Sequence, residues 1–183
     1  MRTKSENTLF LLCEGAILTA LAWALSLFDI PLGYQGGSVD FVMVPLLLFS
    51  LRHGPWWGLL QGLAFGTLKF FLAGGFAITW ESILLDYTLA YAAVGVAGFF
   101  YRSSKKNGAL LGVIVGGLVR YFVHFLSGVT IYAEYMLEEF WGMKMTSTFV
   151  YSILYNGAYM VPNIVLALIV TPLLLKALNK AKL

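Results

Sequence analysis

Residues 108–131, GALLGVIVGGLVRYFVHFLSGVTI, are apolar almost throughout, with charge-bearing side chains only at Arg120 and His124. About 20 such residues suffice to cross a hydrocarbon core of about 30 Å, so this segment can span a membrane unaided. Lipid offers no partner to a free backbone N–H or C=O, and the segment lacks the strict alternation of a membrane β-barrel strand, so helix is the expected local structure. Working outward, five further apolar stretches lie at about residues 8–28, 39–51, 55–74, 79–101 and 147–175, separated by charges and turn formers. The second, around DFVMVPLLLFSL, is short and contains Pro45, which predicts an oblique or kinked crossing. The expected fold is an all-α integral membrane protein, a compact bundle of six transmembrane helices forming a single domain over residues 1–183.

Composition agrees. The chain has 183 residues, 60% hydrophobic and 11% charged, and its mean hydropathy is +0.81. A soluble domain carries about 25% charged residues, so that class is excluded. The first apolar stretch is longer than the core of a signal peptide and has no convincing small-residue cleavage site, which predicts a retained helix. The single Cys13 excludes an internal disulfide framework and is expected to pack as a small hydrophobe. With six spans, Arg2, Lys4, Arg52, Arg102, Lys105, Lys106, Lys176, Lys180 and Lys182 all fall on one side. The other side has Lys144 with Asp29, Glu134, Glu138 and Glu139, so the positive-inside rule places both termini in the cytoplasm. This one-sided charge explains the basic pI and points to the bilayer of a bacterial plasma membrane, with no nucleic-acid partner.

Ionisable groups inside a membrane are costly and face a bundle interior or a wet cavity, so each is a candidate functional residue. At about 1.5 Å per residue, Asp86 lies about 12 Å below the outer surface, and His124 and Asn156 about 10 Å below it. Three helices therefore bring these side chains to one level, with Tyr87 beside Asp86 and Tyr151 at the rim. An anion, an imidazole, an amide and aromatic rings at a common depth describe a pocket for a small, polar, cationic and aromatic ligand arriving from outside. The structural alternative for Asp86 is neutralisation of a buried Arg120 or Lys69. For His124 it is an interhelical hydrogen bond, and for Tyr87, Tyr132 and Tyr151 an interfacial aromatic belt. Arg120 reads as structural. Glu14 lies at the wrong depth for the pocket and reads as an interhelical pairing group.

The loop PLGYQGGSVD combines a proline, three glycines and Tyr34, a composition suited to a lid over the outer mouth. The acidic, aromatic connection YAEYMLEEFWGMKMTSTF is a second candidate mouth element. In the first span, Ala16 and Ala20 present a small-xxx-small face that lets another helix approach closely. The chain contains no P-loop pattern, no HExxH, no GxSxG and no Cys/His cluster of metal-ligand spacing. With no nucleophile and base at matching depth either, the expectation is a non-enzymatic binding or transport role without a cofactor.

Four segments carry a resemblance: QGGSVDFVMVPLLLFSLRHG, LLDYTLAYAAVGVAGFF, RYFVHFLSGV and YSILYNGAYMVP. Together, in this order over nearly the whole chain, they resemble the thiamine-specific substrate-binding subunits of energy-coupling factor (ECF) transporters. The resemblance implies a high-affinity thiamine site in the outer half of the bundle. It also implies partners that supply the energy, a transmembrane coupling subunit (EcfT) and two ATPase subunits. Carried over by motif, the substrate-binding residues are Asp86, Tyr87, His124, Gly128, Tyr132, Tyr151 and Asn156, with Tyr34 as the first-loop aromatic. Ala16 and Ala20 fall on the family's docking face for the coupling subunit. The chain departs from some relatives in having Asp86 where they have Glu and Tyr132 where they have Trp, changes that alter reach and stacking area. The alternatives are a subunit for another vitamin or a thiamine precursor, and an autonomous secondary carrier.

Overall fold

The computed structural model describes residues 4–32, 36–72, 77–100 and 107–180, with side chains from residue 8 onward. Helix α1 spans Lys4–Leu25 and is followed by an antiparallel pair of two-residue strands, β1 (Ile30–Pro31) and β2 (Ser38–Val39). Helix α2 (Met43–His53) turns at Gly54 into α3 (Pro55–Leu72). Helix α4 occupies Trp80–Phe100, α5 Gly108–Thr130 and α6 Thr148–Lys180. Between α5 and α6 lie a 3₁₀ turn at Ala133–Tyr135 and a second small hairpin, β3 (Glu139–Phe140) with β4 (Met143–Lys144).

Among the described residues, four helices, α1, α4, α5 and α6, are long and apolar enough to cross a membrane. Each of the last two shows which side faces lipid. On α5 the outward side chains Leu118, Phe122 and Leu126 recur every fourth residue, while Arg120, His124 and Ser127 are buried on the opposite face. On α6 the exposed series is Val161, Val165, Ile169 and Leu173, and the buried one Tyr151, Tyr155, Tyr159, Asn163, Ala167 and Thr171. Apolar side chains outside and polar ones inside is the inverse of a water-soluble helix, and hydrocarbon is the solvent that favours it.

The structure departs from the expected spans at α2. Residues 39–42 belong to a strand and a turn, so the helix begins only at Met43 and has 11 residues. At 1.5 Å per residue that is about 16 Å, half a hydrocarbon core. This short helix sits in the centre, with Met43 through Leu51 buried against α1, α3, α4 and α6. Pro45 costs no hydrogen bond because it lies in the first turn, where its missing N–H has no intrahelical partner. Arg52 therefore lies in the last turn of α2, partly buried, and not in a connection. Its guanidinium is 2.6 Å from Glu14 of α1, whose other oxygen is 3.0 Å from His53 Nε2. Cys13 also differs from expectation: it is exposed on the outer face of α1, a helix on which only Gly15 and Ala22 of residues 8–25 are buried.

Helix α4 changes geometry along its length. One α turn at Trp80–Ser82 widens into a π-helical segment at Ile83–Leu89, returns to α at Ala90–Ala93 and tightens to 3₁₀ at Val94–Phe100. Its rear wall is α3, where Gly58, Gly62 and Gly66 recur every fourth residue. A Cβ added at Gly62 would strike the backbone of Tyr91 and Ala92, and one at Gly66 the backbone of Tyr87. The two helices thus meet main chain to main chain.

Candidate ligand-binding site

A cavity of about 270 Å³ opens between α4, α5, α6 and the first hairpin, near the lower end of the ~300–1,000 Å³ range of small-molecule sites. Asp86 and Tyr87 reach it from the π-helical segment of α4. Such segments splay side chains off the regular α register and recur at functional sites. His124 comes from the inner face of α5, and Tyr151 and Asn156 come from that of α6.

Asp86 is held from two positions on α5. Ser127 Oγ donates to Oδ2 at 2.8 Å, and His124 Nδ1 lies 3.1 Å from Oδ1. A carboxylate only accepts, so Nδ1 carries the hydrogen of this bond. That orientation turns His124 Nε2 away from Asp86, and this buried atom has no hydrogen-bond partner among the described residues. The Asn156 amide is spent on bracing the helices. Its nitrogen donates to Ser152 O at 2.9 Å and His124 O at 3.3 Å, and its oxygen accepts from Tyr159 Oη at 2.6 Å. Asp86, His124 and Asn156 are thus one connected group. Neither structural alternative for Asp86 is realised: Lys69 pairs with Asp40 at 3.6 Å, and Arg120 lies against the Tyr91 ring at 4.1 Å.

Aromatic side chains form the opposite wall. Tyr151 and Tyr155 stack with centroids 5.6 Å apart, and Tyr155 meets Tyr159 edge-on at 6.1 Å. Tyr159 in turn meets the His124 ring at 5.7 Å, and Phe140 of β3 closes the end of the row against Tyr151. Tyr132, just beyond α5, lines the mouth. Its phenol is lifted above its ordinary pKa by burial, against a hydrogen bond with Ser82 that lowers it. Gly128 lines the cavity as well, and its hydrogen is needed where α5 meets α6, because a Cβ there would collide with Ser152 Oγ. Tyr34 lies outside the described residues.

The first hairpin is fastened over the cavity by Asn163 of α6. Asp40 N–H donates to Asn163 Oδ1 at 2.8 Å, and Asn163 Nδ2 donates to Ser38 O at 2.9 Å. Gly37 N–H reaches Tyr155 Oη at 3.4 Å, and a Cβ at Gly37 would run into the Tyr159 ring. Lining residues that the sequence reading did not single out include Tyr91, Ser127, Ser152, Tyr155 and Tyr159. The four-residue spacing of Tyr151, Tyr155 and Tyr159 was an available signal for two of them. Nothing local marked Ser127. Ala16 and Ala20 are remote from this cavity, on the exposed side of α1, where they border an apolar groove against α3.

A lipid-facing helical bundle with a polar, tyrosine-walled cavity beneath a pinned hairpin defines a membrane protein with room for a small polar solute. Residues 12–183 match the family described as thiamine transporter protein (Thia_YuaJ), and the chain belongs to that family. It is similar to thiamine transporter ThiT of Bacillus subtilis, 37% identical over 179 residues, which cover 89% of this chain and 88% of that protein. It is also similar to thiamine transporter ThiT of Lacticaseibacillus paracasei, 27% identical over 94% of this chain and 90% of that one. A solved structure of ThiT from Listeria monocytogenes superposes with a TM-score of 0.82 at 26% identity, covering 95% of this chain and 97% of that one. These relatives are named as transporters, not enzymes, and the chain is a multi-pass protein of the cell membrane.

Proposed function

We propose that this chain captures thiamine from outside the cell for uptake, as the thiamine-binding subunit of an ECF-type transporter whose coupling subunit (EcfT) and two ATPases supply the energy. The observation that carries the reading is the Asp86 carboxylate held by His124 and Ser127 at the wall of a cavity faced by tyrosines. Thiamine joins a cationic thiazolium to an aminopyrimidine. The carboxylate and the ring faces suit the cation, and the free acceptor at His124 Nε2 suits an amino group. The site residues in this reading are Asp86, Tyr87, His124, Gly128, Tyr132, Tyr151 and Asn156, with Tyr34 as the first-loop aromatic. The bundle is one domain with both termini cytoplasmic and six membrane helices, α2 being the short, buried one. The coupling subunit docks at Ala16 and Ala20 of α1, the helix with the least of its surface inside the bundle. Movement of that partner then turns the whole subunit in the bilayer.

Titration of the purified protein with thiamine, followed by intrinsic fluorescence, tests the binding step. Tight saturable binding that is lost in Asp86→Ala and His124→Ala supports the site, and variants that bind as tightly as wild type refute it. Uptake into vesicles holding this chain alone would refute the dependence on ATPase partners.

A further inference from the structure

Away from the cavity, three ionisable side chains meet where α1 runs beside α2. Glu14 lies 2.6 Å from Arg52 through one carboxylate oxygen and 3.0 Å from His53 Nε2 through the other, with all three side chains only 13–16% exposed. The helices are tight against each other here: a Cβ at Gly15 would sit 3.0 Å from Phe49 Cζ, and the Phe49 and His53 rings pack at 4.8 Å. Elsewhere α1 is loosely held, with Gly15 and Ala22 the only buried residues among 8–25. Replacing a shielded ion pair by apolar groups is often neutral, whereas removing one partner alone is costly, so such a pair fixes a register more than it adds stability. Glu14 lines neither the ligand cavity nor the groove beside Ala16 and Ala20.

From that junction α2 leads to the ligand. It is buried from Met43 to Leu51, and a close-packed element shifts as a unit instead of deforming. Ser50 Oγ donates to Gly95 O of α4 at 2.7 Å. At the far end, Asp40 Oδ1 accepts from Val42 N–H at 2.9 Å, and Asp40 N–H donates to Asn163, the residue that fastens the first hairpin over the cavity. We infer that Glu14 is a positioning residue for ligand release: it clamps α1 to Arg52 and His53, so that a displacement of α1 moves α2 and loosens the hairpin from Asn163. This rests on the proposed function, in which the coupling subunit docks on α1 and supplies the displacement. Without the clamp, α1 yields to its partner and α2 stays in place.

Two experiments test it. In vesicles holding the assembled transporter, Glu14→Gln is expected to slow ATP-driven thiamine uptake about fivefold or more, while the subunit alone keeps its thiamine Kd within about twofold of wild type. The charge swap Glu14→Arg with Arg52→Glu recovers much of the rate that each single change loses, which a merely damaged fold would not do. Uptake at the wild-type rate in Glu14→Gln, or a swap no better than the single variants, overturns the clamp. The second experiment needs neither partner nor ligand. In Gly15→Leu, a side chain wedged against Phe49 strains α2 because Glu14 holds α1 in place, so backbone hydrogen exchange at residues 38–42 rises severalfold over wild type in nanodiscs. Adding Glu14→Gln lets α1 swing aside and returns exchange toward the wild-type level. Exchange that does not respond to the wedge, or that stays raised in the double variant, overturns the inference. Should Gly15→Leu not fold, Gly15→Ala brings a methyl group to the same ring. If wild type carries no thiamine with these partners, the proposed function fails, and the hydrogen-exchange pair alone then decides whether Glu14 couples α1 to the hairpin.

Discussion

Replacing Asp86 with Asn removes one negative charge while keeping the shape of the side chain, and its effect can be worked from the site. A ligand cation about 4 Å from the carboxylate, at an effective dielectric constant of about 20, interacts with it by about 4 kcal/mol. The variant also sheds the desolvation cost of a half-buried carboxylate and keeps an amide oxygen that can accept from Ser127 or His124, so part of this is returned. A net loss of about 2–3 kcal/mol follows, which is about a 30- to 150-fold rise in Kd. The assay is thiamine titration of wild type and Asp86→Asn in nanodiscs by calorimetry or fluorescence, with thermal unfolding of the ligand-free proteins as the control for folding. A variant within threefold of the wild-type Kd would show that the carboxylate does not face the ligand's charge, and the electrostatic reasoning would fail.

Gly128→Ala forces a methyl group against Ser152 Oγ and Asn156 Nδ2 at the seam of α5 and α6. Overpacking of this kind costs about 1–3 kcal/mol, to be read as a lower unfolding temperature together with weaker ligand binding. Tyr159→Phe deletes the 2.6 Å bond to Asn156, with an expected loss of about 1 kcal/mol in stability and a smaller effect on ligand affinity than Asp86→Asn. Asn163→Leu removes both bonds that hold the first hairpin, so stopped-flow dissociation of bound thiamine should accelerate severalfold. Ala20→Leu on exposed α1 should leave thiamine binding within twofold of wild type while reducing energised uptake by the assembled transporter. Unchanged uptake would remove α1 from the docking surface.

Much of the bundle was legible because hydrocarbon imposes simple rules. The stretch 108–131 became α5 at Gly108–Thr130, and the stretch 79–101 became α4 at Trp80–Phe100. Asp86, His124 and Asn156 share a depth because helix rise is constant, and depth needed only the helix ends. The direction each side chain faces was less legible. Asn156 turned out to brace Ser152, His124 and Tyr159 with its amide, a role set by neighbours from another helix. Asn163 carried no signal, since its partners are the backbone of residues 38 and 40. The apolar content of 39–51 did not reveal that the helix there is only 11 residues long and buried, because a helix at the centre of a bundle is apolar for the same reason as one in lipid. Composition does not separate the two.

The three glycines of α3 have a consequence for how this pocket can change over generations. The helix that carries Asp86 and Tyr87 leans against bare backbone at Gly62 and Gly66, so its distance from α3 cannot be adjusted by trading one side chain for another. Even an added methyl would push the whole π-helical segment toward the cavity. Variation in ligand preference is therefore confined to the open side of the pocket, in the identities of the residues at 86, 87, 120, 132 and 151, while the wall behind them stays fixed as a datum. A lineage adapting this bundle to a different solute would be expected to keep glycine at 62 and 66 and alter the front.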